Sequence, residues 1–142
     1  MDKLINKDVL KIINAADADR LALFESTADE MDVTGELIEK DFWVCAVLDV
    51  MFNVISPEYK GDELFLFKGG TSLSKCFNKI NRFSEDIDIV VSRQFLGFHG
   101  ENDPLAIGHN FPSKNKRKAA IKKLVEACST YITVGLKRNF RL

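Results

Sequence analysis

The chain has 142 residues, 46% hydrophobic and 29% charged, with a net charge of −1, which is one domain's worth of an ordinary globular composition. No run of about 18 apolar residues occurs, which argues against a membrane span. The N-terminal MDKLINKDVLKI lacks the apolar stretch of a signal peptide. Cys45, Cys76 and Cys128 are widely spaced and odd in number, giving no disulfide framework or metal-ligand spacing and suiting a reduced cytoplasm.

The near-zero net charge hides an asymmetry. Met1 to Leu66 holds 6 basic against 15 acidic residues, a net of −9, and Phe67 to Leu142 holds 14 against 6, a net of +8. A basic half favours a nucleotide or RNA partner, although two oppositely charged halves also simply attract each other.

Lys7 to Met31 reads as one or two helices, with Leu21, Phe24, Ala28 and Met31 on one amphipathic face. Thr34 is the expected N-cap of a stronger helix from Glu36 to about Ile55. Apolar residues from Phe42 to Phe52 cover most of its circumference, the pattern of a central helix, and Ser56-Pro57 ends it. Leu64 to Lys68 reads as a short buried strand broken by Gly69-Gly70. A helix over Thr71 to about Ile80 follows, then a connection at Arg82 to Ser84. Asp86 to Ser92 alternates carboxylates with isoleucines before two valines, as a strand does. Gly97 to Ser113 reads as a long loop or ordered flap. A final helix from Ser113 or Lys114 to Tyr131 or beyond carries Ala120, Leu124, Ala127 or Cys128, and Tyr131 as its apolar stripe. Residues 1–60 are expected to form a helical layer and 61–142 the core of one compact domain.

The chemistry concentrates between Leu64 and Val91. Gly69 and Gly70 allow close backbone approach to a ligand, and Thr71 and Ser72 offer hydroxyls at a helix start, where amides hold phosphate. Asp86 and Asp88, one residue apart on a strand, share a face and form a pair of hard oxygen ligands for Mg2+. Two aspartates inside an Ile/Val strand break a local rule, as functional sites do. An edge strand with a wet polar face would give the same alternation. Ser84 can hydrogen-bond an aspartate or a phosphate oxygen. Arg82 can pair with phosphate or with Glu85, which faces the other side. Neither a P-loop pattern nor G-x-G-x-x-G is present, against a P-loop NTPase or a dinucleotide-binding fold. Lys114, Lys116, Arg117, Lys118, Lys122 and Lys123 place six cations among ten residues. They form either a solvated helix face or a contact for an RNA backbone. No aromatic residue is interleaved with them for base stacking. His99 and His109 are read as polar loop residues.

Three segments, IEKDFWV at Ile38 to Val44, FKGGTSLSK at Phe67 to Lys75 and RFSEDIDI at Arg82 to Ile89, resemble the AbiEii/AbiGii toxin family of type IV toxin–antitoxin and abortive-infection systems. The resemblance runs over about residues 18 to 138. It implies an α/β (α+β) fold with a polymerase-β-like nucleotidyltransferase core behind an N-terminal helical layer. It also implies a cytoplasmic enzyme that uses Mg2+ to transfer a nucleotidyl group from an NTP to an acceptor such as tRNA. Asp86 and Asp88 then become the catalytic metal ligands. Gly69, Gly70, Thr71, Ser72 and Ser84 become the phosphate-binding residues, the Ile38 to Val44 helix a scaffold, and an antitoxin a partner. The family continues past the equivalent of Leu142 with a third acidic residue, so this chain resembles its N-terminal part. After Asp88 only Glu101, Asp103 and Glu126 are acidic, and none lies in a strand pattern. Little or no transferase activity is expected of these residues alone. The alternative is a catalytically incompetent module of the same fold that binds an antitoxin or RNA.

Overall fold

The computed structural model describes residues 6–70, 72, 86–106, 108 and 111–139. Two compact units are present: Met1–Glu58 with Phe67–Val90, and Tyr59–Leu66 with Val91–Leu142.

The first unit begins with two helices. α1 spans Lys7–Ile13 and starts at Asn6, whose side chain accepts the Asp8 amide. α2 spans Asp17–Met31 and stops where Asp32 turns left-handed at φ 54°, a conformation that Asp tolerates better than most residues. The carbonyls left open at the end of α1 are covered by Arg20. Its Nη1 donates to the oxygens of Ile13 and Ala15, each at 3.1 Å, and its guanidinium lies 6.0 Å from the Trp43 ring centroid.

α3 spans Gly35–Asp49, and Thr34 is its N-cap, as its sequence position predicts. The helix continues as a π-helical stretch, Val50–Ile55, and ends in a 3-10 turn at Ser56–Glu58. Asp49 braces this junction, accepting from the Asn6 amide at 3.1 Å and from Asn53 Nδ2 at 2.6 Å. Phe24 and Ala28, one turn apart on α2, are buried along with Val44, Ala46, Val50, Met51 and Ile55. Phe24 packs its ring 5.4 Å from that of Phe42. The expected α2 face is therefore too long. Leu21 and Met31 are 56% and 53% exposed, because only the central turns of α2 meet the core. Nor is α3 covered all round, since Trp43 and Cys45 reach solvent.

β1 (Phe65–Lys68) and β2 (Asp88–Val91) form a two-stranded antiparallel sheet. Burial alternates in both strands: Phe65 and Val91 are buried and Phe67 and Ile89 half-buried, while Leu66, Lys68, Asp88 and Val90 are exposed. The Ser92 amide donates to the Leu64 carbonyl at 2.8 Å, and counting along the ladder puts Asp88 opposite Lys68. β2 is shorter than the expected Asp86 to Ser92. The same count sets Asp86 against Gly70, which is already helical, so the β1–β2 ladder stops short of Asp86.

In the second unit, α4 spans Lys114–Thr130, capped by Ser113, whose Oγ accepts the Lys116 amide. It runs on as a π-helical stretch, Tyr131–Leu136, and a final turn, Lys137–Asn139. Its apolar stripe lies where the spacing puts it, with Leu124 buried and Ala120, Ala127, Cys128 and Tyr131 half-buried. Tyr131 stands edge-on to Phe95, centroids 4.8 Å apart, and Phe95 likewise to Tyr59 at 5.4 Å. The loop before α4 is ordered around Asp103. This carboxylate is only 8% exposed; it accepts from Arg93 Nε at 2.9 Å and from the Leu105 amide at 2.9 Å. Among the described residues, Cys45 and Cys128 are free thiols. No described helix is long and apolar enough to cross a membrane.

Two outcomes follow for the second unit. Arg93→Ala leaves the nearly buried Asp103 carboxylate with one neutral donor and lowers stability by about 1–3 kcal/mol in a urea melt. Burial raises the Tyr131 phenol above its ordinary value. Its neutral form thus favours folding fully below about pH 10, and that contribution is lost as pH rises through the folded-state value. Thermal melts across this range are expected to show a steeper alkaline decline in the wild type than in Tyr131→Phe.

Candidate functional site

β1 runs directly into Gly69, Gly70 and Ser72, all helical, so the turn starts two residues before the expected Thr71. Gly69 has φ +79°, in the left-handed region that costs other residues about 1–2 kcal/mol. A Cβ on Gly69 would also overlap Asp88 Oδ2, and would stand 2.9 Å from Asp88 Cγ and 3.1 Å from its Cβ. The carboxyl group thus lies in the space that a side chain at position 69 would fill. Ser72 is only 5% exposed, and its Oγ donates to the Gly69 carbonyl at 2.9 Å. With its hydroxyl proton committed there, Ser72 stabilises the turn, and its side chain donates to a phosphate only when the hydroxyl rotates.

Asp86 and Asp88 are both exposed, separated by the half-buried Ile87, so the alternation seen in the sequence survives although Asp86 lies just before the strand. Exposed carboxylates are hard oxygen donors of the kind Mg2+ takes. Among the described residues, no three or more His, Cys, Asp or Glu side chains group as a metal site. Thr71, Arg82, Ser84, Glu85 and His109 lie outside the described residues. His99 is exposed on the loop before α4.

A second arrangement, invisible in linear order, surrounds the start of α4. All six cations from Lys114 to Lys123 are exposed. Lys122 pairs with Glu126 at 3.7 Å. Lys114, Lys116, Arg117, Lys118 and Lys123 have no ion pair among the described residues. One groove, of about 500 Å3, is lined by Phe98, Glu101, Asn102, Phe111, Lys116 and Lys123 among others. Another, of about 380 Å3, takes in Leu105, Phe111, Lys114 and Arg117. The absence of interleaved aromatics thus holds only along the chain: the loop folds Phe98 and Phe111 beside the lysines.

The family model described as nucleotidyl transferase AbiEii toxin, type IV TA system, matches residues 50–141. The chain belongs to the AbiEii toxin family. The match contains the glycine turn and both aspartates of this AbiEii chain, while the Ile38 to Val44 segment falls before it. Membership implies a nucleotide substrate and an antitoxin partner. No curated protein and no solved structure matches the chain.

The Gly69–Asp88 approach is testable by a mutant cycle read in urea melts. Gly69→Ala is expected to cost about 2–4 kcal/mol, combining left-handed strain with overpacking. In an Asp88→Gly background, which removes the Cβ as well as the carboxyl group, only the strain should remain, about 1–2 kcal/mol. Gly97→Ala, also at positive φ but with nothing within 4 Å of the new Cβ, should match that smaller value. Equal costs in both backgrounds would show that the two residues do not meet.

Proposed function

We propose that this AbiEii chain carries the nucleotide-handling part of a Mg2+-dependent nucleotidyltransferase toxin with a polymerase-β-like core. Residues 1–60 act as its helical layer and 61–142 as its core. The observation that supports this most strongly is the seating of Asp88 against Gly69. It brings an acidic ligand next to a glycine turn that opens a helix, the pairing that nucleotidyl transfer requires.

In this reading Gly69 and Gly70 present bare backbone to the triphosphate of an NTP, with Thr71 and Ser84 as hydroxyl donors. Ser72 holds the turn in shape through the Gly69 carbonyl. Asp86 and Asp88 hold Mg2+, which when bound supplies neutralising charge for the triphosphate. In the reaction an acceptor hydroxyl oxygen bonds to the α-phosphorus as the bond to the β-phosphate bridge breaks. Pyrophosphate leaves, and the hydroxyl proton passes to solvent or base. The acceptor proposed is tRNA and the setting the cytoplasm, where the cognate antitoxin restrains the toxin.

Nucleotide binding tests this without depending on turnover. Calorimetric titration with each NTP should show affinity that requires Mg2+. Asp86→Asn combined with Asp88→Asn should weaken the metal-dependent part by about a hundredfold, the loss of two charged ligands. Wild-type protein with no metal-dependent affinity for any NTP would reject the transferase reading. A module that binds antitoxin or RNA without catalysis would then be the better account.

A further inference from the structure

α4 opens against the usual electrostatics of helices. Its first turn holds no acidic residue, and Lys114, Lys116 and Arg117 sit where backbone N–H groups already make the end positive. Such an arrangement costs stability unless an anion occupies the end, and rule-breaking without local compensation marks sites of use. The grooves described above supply the second observation. At about 100° per residue, Lys116 and Lys123 fall on one flank of the buried stripe headed by Leu124, Lys114 falls on the other, and Arg117 lies nearly in line with Leu124. The groove on the Lys116 side adds Phe98 and Phe111, two half-buried rings, together with Glu101 and Asn102.

The geometry points to this groove as a binding site for single-stranded nucleic acid, with Lys116 and Lys123 on the phosphates and Phe98 and Phe111 beneath the bases. Cations spaced along a helix next to ring faces are what an unpaired strand needs, since every base has a stacking face and every nucleotide one negative charge. A duplex offers the same charge but hides its base faces, so the rings distinguish the two. Asn102 and Glu101 can meet base edges, Asn as donor and acceptor and Glu as acceptor only. Glu101 also repels phosphate and so orients the strand, with its backbone toward the lysines. All of these residues belong to the second unit, and the site is independent of the carboxylates at 86 and 88.

The test is fluorescence anisotropy with the whole chain, no NTP and a metal chelator, so that failure of the transferase reading leaves it untouched. The probes are labelled single-stranded RNA of about 12 nucleotides and a duplex of equal length, titrated at about 50 to 200 mM salt. The single strand is expected to bind more tightly than the duplex. Lys116→Gln with Lys123→Gln should weaken it at least about tenfold and reduce the slope of log affinity against log salt by about 1.4. Phe98→Leu and Phe111→Leu, which keep apolar bulk, should each weaken it about fivefold to hundredfold with the salt slope unchanged. Lys137→Gln with Arg138→Gln removes equal charge about 20 Å further along the same helix and should change nothing. Equal loss in that control, no preference for the single strand, or wild-type binding by Phe98→Leu would each overturn the site. Should Phe111→Leu fail to fold, Phe98→Leu and the exposed lysine pair decide alone.

Discussion

The nucleotide-binding reading depends on how close Asp88 comes to the backbone of Gly69. Antiparallel pairing brings the end of β1 against the start of β2, and the helix begins at once, leaving no length over which the carboxyl could stand clear. A side chain at 69 is excluded both by the left-handed backbone and by the space the carboxyl group occupies. Ser72 adds a third constraint, tying its buried hydroxyl back to the Gly69 carbonyl. Among the described residues, the turn is therefore held by backbone geometry and by the Ser72 hydrogen bond to the Gly69 carbonyl.

The rest of the first unit is a helical core. α2 and α3 bury a compact set of residues from Phe24 to Ile55, while Arg20 closes the end of α1 and Asp49 braces the end of α3. The second unit is built differently, around a row of edge-on aromatic rings and the nearly buried Asp103 carboxylate, which an exposed Arg93 pairs with. That ion pair fixes the loop before α4, and the loop in turn carries Phe98 and Phe111 to the basic helix. Of the cations counted in the C-terminal half of the sequence, six lie within ten residues at the start of α4, and four of these line the two grooves.

The elements most legible in the sequence were those with a local cause. Thr34 caps α3 and Ser113 caps α4 because a hydroxyl before a helical period satisfies open amides whatever the tertiary context. The stripe on α4 and the Asp/Ile alternation before Val90 were readable from periodicity alone. Where expectation went astray, distant neighbours decided. Leu21 and Met31 have the spacing of a buried face but lie beyond the turns that meet α3. Asp86 has the alternation of a strand, but the residue across from it has already entered a helix.

The chain's own order of residues determined the helix caps, the glycine turn, the paired aspartates, the basic run and the family, because each is a short-range pattern with its own physical cause. Only the folded molecule decided that Asp88 comes to rest on Gly69 and that Phe98 and Phe111 flank Lys116 and Lys123. Such meetings join residues separated along the chain, and they follow from strand register and loop packing, which no local pattern encodes.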